Sequence, residues 1–250
     1  MKYKTLIKKL ITKLYKLISP NPNGLRVFMY HSVINSEKNS DNLYVLDSSL
    51  FKEQMEFLSK SYKKNVVRFK DLKIFKDDLS FAITFDDGYS NNLHVAAPIL
   101  EELNLPFTIF ITTDFIKSNK KEFLTINELK EISALDNVDI GSHTVSHPYL
   151  TRLNDNQVMH ELLDSKHFLE DVLGKPVRLF AYPHGDYDKR IRDLVEEAGY
   201  EIARNSKFNT NIEIKDKLLI NSTEIWNFDS IPVFKEKIYG DWDWLKHIQS

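Results

Sequence analysis

The feature that most constrains this chain is a repeated alternation. A short apolar run ends in polar residues, and a segment with apolar side chains at helical spacing follows. Leu25 to Tyr30, Leu79 to Phe85, Pro106 to Ile111, Val138 to Ile140, Val177 to Ala181 and Tyr200 to Ala203 are such runs. They read as buried strands, and Val66 to Phe69 as a further short one. Between them, helices are expected after an Asp47 or Ser48 cap (Phe51, Met55, Leu58 and Tyr62 on one face), over Asn92 to Leu103, over Ile126 to Ser133, over Asp155 to Leu173 with Gly174 as the stop, and from the Asp188 cap to Ala198. Units of strand, loop and helix at this spacing predict an α/β chain built on a parallel sheet or barrel, whose chemistry sits in loops at the carboxyl ends of the strands.

Polar clusters fall at those ends: His31 after the first run, Asp86 and Asp87 after another, His143 and His147 after a third, and His184 after a fourth. With 250 residues, 42% hydrophobic, one large core is within reach, so residues 25–250 are expected to form a single catalytic domain. The 34 basic and 36 acidic side chains nearly cancel, which leaves no general field for nucleic acid. The absence of cysteine excludes disulfides and thiolate metal sites.

Residues 1–19 differ. Lys2, Lys4, Lys8, Lys9, Lys13 and Lys16 are accompanied by no acid, while Leu6, Ile7, Leu10, Ile11, Leu14, Leu17 and Ile18 fall largely on one helical face. The lysines interrupt any apolar stretch long enough for a secretory signal or a span of about 20 residues. The pattern fits a basic amphipathic helix on an anionic membrane surface, and equally a first helix packed on the domain with a solvated lysine face.

Asp86 and Asp87 end a strand, where neighbouring side chains point to opposite sides unless a turn re-aims them; Gly88 permits that turn. Such a pair can cap the next helix, or one member can bind a metal while the other acts as a base toward water. His143 and His147, with three residues between them, can reach one ion, and with one carboxylate they leave open positions suited to a catalytic metal, zinc or a neighbour in the transition series.

The runs Thr84-Phe85-Asp86-Asp87-Gly88-Tyr89, Ser142-His143-Thr144-Val145-Ser146-His147-Pro148 and Phe180-Ala181-Tyr182-Pro183-His184-Gly185 resemble, in order, the three signature motifs of the polysaccharide deacetylase family, also known as the NodB-homology family or carbohydrate esterase family 4. The resemblance implies a distorted (β/α) barrel, Asp86 as general base, and Asp87, His143 and His147 as ligands of one divalent ion, zinc first with cobalt or nickel next. It also implies an oxyanion contact from the backbone amide of His184. Tyr89, Tyr182 and Pro183, beside the motif residues, are expected to line the substrate cleft. Two departures stand out. The third motif usually has an arginine that orients the base where this chain has Ala181, so another group must hold Asp86. No late Leu-x-x-His match supplies the acid; Phe28-Met29-Tyr30-His31 instead resembles the opening of a circularly permuted branch that deacetylates poly-N-acetylglucosamine, which makes His31 the expected general acid and His184 the runner-up.

The expected activity is hydrolysis of the acetamide of an N-acetylated sugar in a bacterial surface glycan or its precursor. O-acetyl ester hydrolysis, or a silent glycan-binding domain of the same fold, is the alternative. The expected place is the cytoplasm, peripheral to the inner membrane, with an uncleaved anchor facing outside as the competing picture.

Overall fold

The computed structural model describes residues 11–12, 14–15, 23–35, 41–73 and 78–248. The amphipathic helix expected over residues 1–19 lies outside them except for Ile11, Thr12, Leu14 and Tyr15.

Seven strands form one wholly parallel sheet: β1 (Gly24–Tyr30), β4 (Leu79–Phe85), β5 (Phe107–Ile111), β6 (Val138–Ser142), β7 (Leu179–Ala181), β8 (Ile202–Arg204) and β9 (Thr223–Glu224), in the order β8-β7-β6-β5-β4-β1-β9. β2 (Ser32–Ile34) and β3 (Val45–Asp47) pair separately. The sheet curls into a half-barrel with helices outside it. β1 and β4 are buried at every position, as expected of strands covered on both faces. β1 sits between β4 and β9, so a strand from the start of the domain is sandwiched between the strand of the aspartates and one from its far end.

Local chemistry sets the helices. Asp47 accepts from Ser49 N, Thr125 and Asn154 form capping boxes with Glu128 and Gln157, and Asp188 accepts from Ile191 N. The helices Ile126–Ser133 and Asp155–Leu173 keep the expected bounds, and Gly174 ends the second at φ 64°. Two expectations are corrected. Val66 makes only an isolated bridge to Phe81 before a 3-10 turn at Phe69–Asp71, so no strand forms there. The helix after the aspartates opens as a π turn over Asn92–Ala96 before the α-helix Ala97–Leu103; Pro98 has no N–H to offer the His94 carbonyl, and Ala97 N bonds to Asn92 O instead.

Trp226, Trp242 and Trp244 pack with Phe208, Val233 and Leu245 in a satellite core rather than on a cleft. Thr12 Oγ1 accepts from Trp244 Nε1 at 3.0 Å, and Tyr15 packs on the same cluster.

Candidate active site

The parallel arrangement brings the ends of β1, β4, β6, β7 and β8 to one rim. The Asp86 amide bonds to the Tyr30 carbonyl at 3.0 Å, which ties the aspartates beside His31. Asp87 takes φ 72° and Gly88 φ 77°, so the turn that re-aims the second carboxylate begins at the aspartate itself. At φ 77° an L side chain at Gly88 would be strained, which favours glycine there.

Asp87, His143 and His147 offer three ligand atoms within 4.8 Å of one another. The Ala181 carbonyl can only accept, so His143 Nδ1 donates to it at 2.7 Å and Nε2 is left with its lone pair toward the site. The Nε2 atoms of His143 and His147 face each other at 3.1 Å, and Asp87 Oδ1 lies 3.7 Å from His147 Nε2, buried and without a hydrogen-bond partner. Burial pushes His143 down despite Asp86 and Asp87; burial and the neighbouring His143 and His184 push His147 down to about 3. Both rings are therefore neutral at ordinary pH, the form that ligates. Burial lifts the Asp87 carboxyl, with His143 pulling only partly against it. Two imidazole nitrogens and an unpartnered carboxylate oxygen fit a divalent transition metal, whose charge would reverse the penalty on Asp87.

The loop that holds both histidines is fixed from the long helix. Glu161 accepts from Val145 N at 2.8 Å, Ser146 N at 2.9 Å and Ser146 Oγ at 2.6 Å. Thr144 Oγ1 accepts from His147 N at 3.0 Å, with Thr144 at φ 70° and His147 at φ 61°. Gly141 lets β6 lie against β5, since a Cβ there would meet the Phe110 ring at 2.6 Å.

Asp86 is buried beside this trio, its Oδ2 3.7 Å from His143 Nε2 and 4.0 Å from His31 Nε2. Its Oδ1 pairs with Arg204, a wholly buried side chain. Burial opposes the Asp86 charge, but Arg204, His143 and His31 together hold its carboxyl down to about 2. Sequence reasoning missed Arg204, because a charged residue closing the apolar run Ile202-Ala203 reads as a solvent-exposed strand end.

The remaining expected residues divide. The His31 ring lies 4.7 Å from that of Tyr44, and the His31 carbonyl accepts from Asn92 Nδ2 at 2.8 Å. The exposed His184 ring, on a backbone at φ 59°, stacks on Tyr149 at 4.0 Å and meets His147 edge-on at 4.4 Å, so it borders the trio. Tyr89 is half-buried against Phe123, with Phe115 continuing the aromatic set toward His147. Tyr182 lines no cleft. It is 1% exposed, packed between Phe180 and Tyr187 with its hydroxyl in the core, because residues adjacent on an extended chain face opposite ways; Pro183 is buried as well. Tyr44 and Tyr149, both substantially exposed, are rim aromatics that sequence reasoning did not single out, although Tyr149 directly follows Pro148 of the histidine motif.

Comparison with known proteins agrees with this architecture. YxkH of Bacillus subtilis (strain 168) is 29% identical over 186 residues, covering 72% of this chain and 64% of that protein. The peptidoglycan-N-acetylglucosamine deacetylase of Bacillus cereus is 30% identical over 121 residues, 48% of this chain and 53% of that protein. The chain thus spans less than two thirds of the length of either relative. Among solved structures, the Streptococcus pyogenes deacetylase PplD in complex with acetate superposes with a TM-score of 0.73 at 21% identity, covering 87% of this chain and 99% of that one, a likeness of fold. The polysaccharide deacetylase family profile matches residues 76–203, the segment that carries the aspartates, the histidine loop and the Tyr182-Pro183-His184 turn. The chain belongs to the polysaccharide deacetylase family of hydrolases.

Proposed function

We propose that this protein hydrolyses the acetamide of an N-acetylated sugar in a bacterial surface glycan or its precursor, releasing acetate and a free amine. The observation that carries the reading is the placing of two proton-transfer groups around one ligand trio: Asp86 Oδ2 lies 3.7 Å from His143 Nε2 and 4.0 Å from His31 Nε2. The Bacillus cereus relative, named for its action on N-acetylglucosamine of peptidoglycan, supports the substrate class.

Asp87, His143 and His147 would hold one divalent ion, zinc first and cobalt or nickel next. When bound, it supplies Lewis acidity toward a substrate oxygen and a nearby water. Asp86, kept ionised by Arg204, takes the proton of the attacking water, and the His184 backbone amide donates to the carbonyl oxygen as its charge develops. His31 donates a proton to the departing sugar nitrogen, without which an amine leaves poorly. Tyr89 and Tyr44 offer faces on which sugar rings can stack.

The test joins two measurements, metal content and acetate release from an N-acetylglucosamine oligomer, on wild type and Asp86→Asn. Near-stoichiometric metal in both, with acetate released by wild type only, supports the reading; no metal in either overturns it. His31→Ala separates amide from ester chemistry, since an enzyme whose substrate is an O-acetyl ester would keep most of its activity without that acid.

We also propose that residues 1–19 hold the enzyme on the anionic inner-membrane surface from the cytoplasmic side. Their unopposed lysines and the exposure of Ile11 (37%) and Leu14 (60%) support this. Of the four described residues, Thr12 and Tyr15 face the tryptophan cluster while Ile11 and Leu14 are exposed. Among the described residues no helix is long and apolar enough to cross a membrane. Loss of membrane pelleting on deletion of residues 1–19 is expected; unchanged pelleting overturns the proposal, and surface proteolysis of intact cells would reveal an outward-facing anchor.

A further inference from the structure

Arg204 has an unusual set of contacts for a buried cation. It ends β8, an edge strand, and β7, β6 and β5 lie between it and the strand of Asp86 in the ladder. Only the curl of the sheet lets its side chain cross the interior. The guanidinium passes 5.0 Å from the Phe110 ring on β5, places Nη1 2.9 Å from Met29 Sδ on β1 and gives Nη2 to Asp86 Oδ1. Its Nε is buried with no hydrogen-bond partner. A pair whose purpose was stability would meet those donors, and apolar side chains of the same volume would stabilise as well or better.

Its place in the sheet is equally specific. Ala181 and Arg204 are register partners in the parallel β7–β8 ladder, and side chains paired in this way share a face. Ala181 is fully buried and contributes only a methyl group, which leaves the space beside it to the long neighbour. Its carbonyl meanwhile orients His143.

We propose that Arg204 is the positioning residue for Asp86, and that the orienting cation of this site has moved one strand across the sheet, from the position of Ala181 to its register partner. By engaging Oδ1 alone it turns Oδ2 toward His143 and His31, the direction in which a water must lose its proton. The proposal deepens the reading of Asp86 as general base and rests on it.

The test uses Arg204→Ala, Arg204→Lys and the swap Ala181→Arg/Arg204→Ala on the full chain, with crystal structures, zinc affinity by competition and steady-state kinetics on an N-acetylglucosamine oligomer. In Arg204→Ala the Asp86 side chain is expected to leave its conformer while Asp87, His143 and His147 keep theirs. Turnover should fall about a hundredfold with KM and zinc affinity within about threefold. Arg204→Lys, which keeps the charge but not the fork, should fall about tenfold, and it decides the matter if the alanine variant does not fold. The swap should regain at least about tenfold over Arg204→Ala. An unmoved Asp86 in Arg204→Ala, full turnover in Arg204→Lys, or parallel loss of zinc affinity, KM and turnover overturns the proposal. A guanidinium at 181 that does not reach Asp86, or that reaches it without recovery, overturns the equivalence of the two positions. If wild type releases no acetate, the deacetylase reading fails, and the Asp86 conformer in metal-free crystals still decides for or against Arg204.

Discussion

Two arginines lie wholly buried in this half-barrel, and they keep very different company. Arg26, in the middle of β1, grips Asp243 with both arms at 2.9 and 3.0 Å, gives Nε to the Ile238 carbonyl at 3.1 Å and shares its remaining donors with Thr210 and Thr223. Arg204 leaves Nε unmet and turns one arm to a thioether. The first fastens the C-terminal segment to the sheet. The second holds a carboxylate whose other oxygen stays open toward two imidazoles. Between these two arginines, the saturated one sits where the chain only needs to stay together, and the unsaturated one reaches the rim where a further atom is expected.

That contrast can be broken by substitution. The largest effect on folding is expected for Arg26→Met, which strands Asp243 and should cost about 3–5 kcal/mol in denaturant unfolding. Turnover per folded molecule should stay at the wild-type level; a catalytic loss in the folded fraction would erase the distinction between the two arginines. Next comes Glu161→Ala. Its carboxylate touches no ligand atom but saturates the loop of His143 and His147, so zinc affinity should fall about 10–100-fold. Equal affinity for wild type and variant would mean the loop holds its shape unaided. Gly141→Ala drives a methyl into the Phe110 ring and should destabilise by about 1–3 kcal/mol, visible as a lowered melting temperature. The smallest change is expected for His94→Gln. Its contact with Glu128 at 2.6 Å is solvent-exposed on the His94 side and should be worth less than about 1 kcal/mol, with metal content unaltered. A drop in bound metal would place His94 in the site after all.

Much of this architecture was legible because local rules and tertiary demands coincide. The capping residues, the glycine stop at Gly174 and the apolar runs ending in Asp86 and His143 each follow from short-range chemistry. The residues that bring the rim together were less visible. Arg204 reads as the exposed end of a short strand until the curl of the sheet is known, since its partner lies 118 positions away. Tyr182 misled for the opposite reason: adjacency to a motif says nothing about which way a side chain points on an extended chain. Glu161 looked like one more acid on a long helix, and only the docking of that helix against the histidine loop gives it a role. β9, two residues long, carries too little periodicity to be noticed, yet it covers the free edge of β1.

That placement of β1 bears on how the molecule acquires its structure in time. Arg26 and Thr223 meet across 197 positions of chain, so the strand that delivers His31 gains its second neighbour only through one of the longest loop closures available to it. Contacts of such sequence separation slow folding and favour intermediates with an open strand edge. On that ground the covering of β1 by β9 is expected among the last steps of folding, and a burst phase in which Arg26 already holds Asp243 would overturn it.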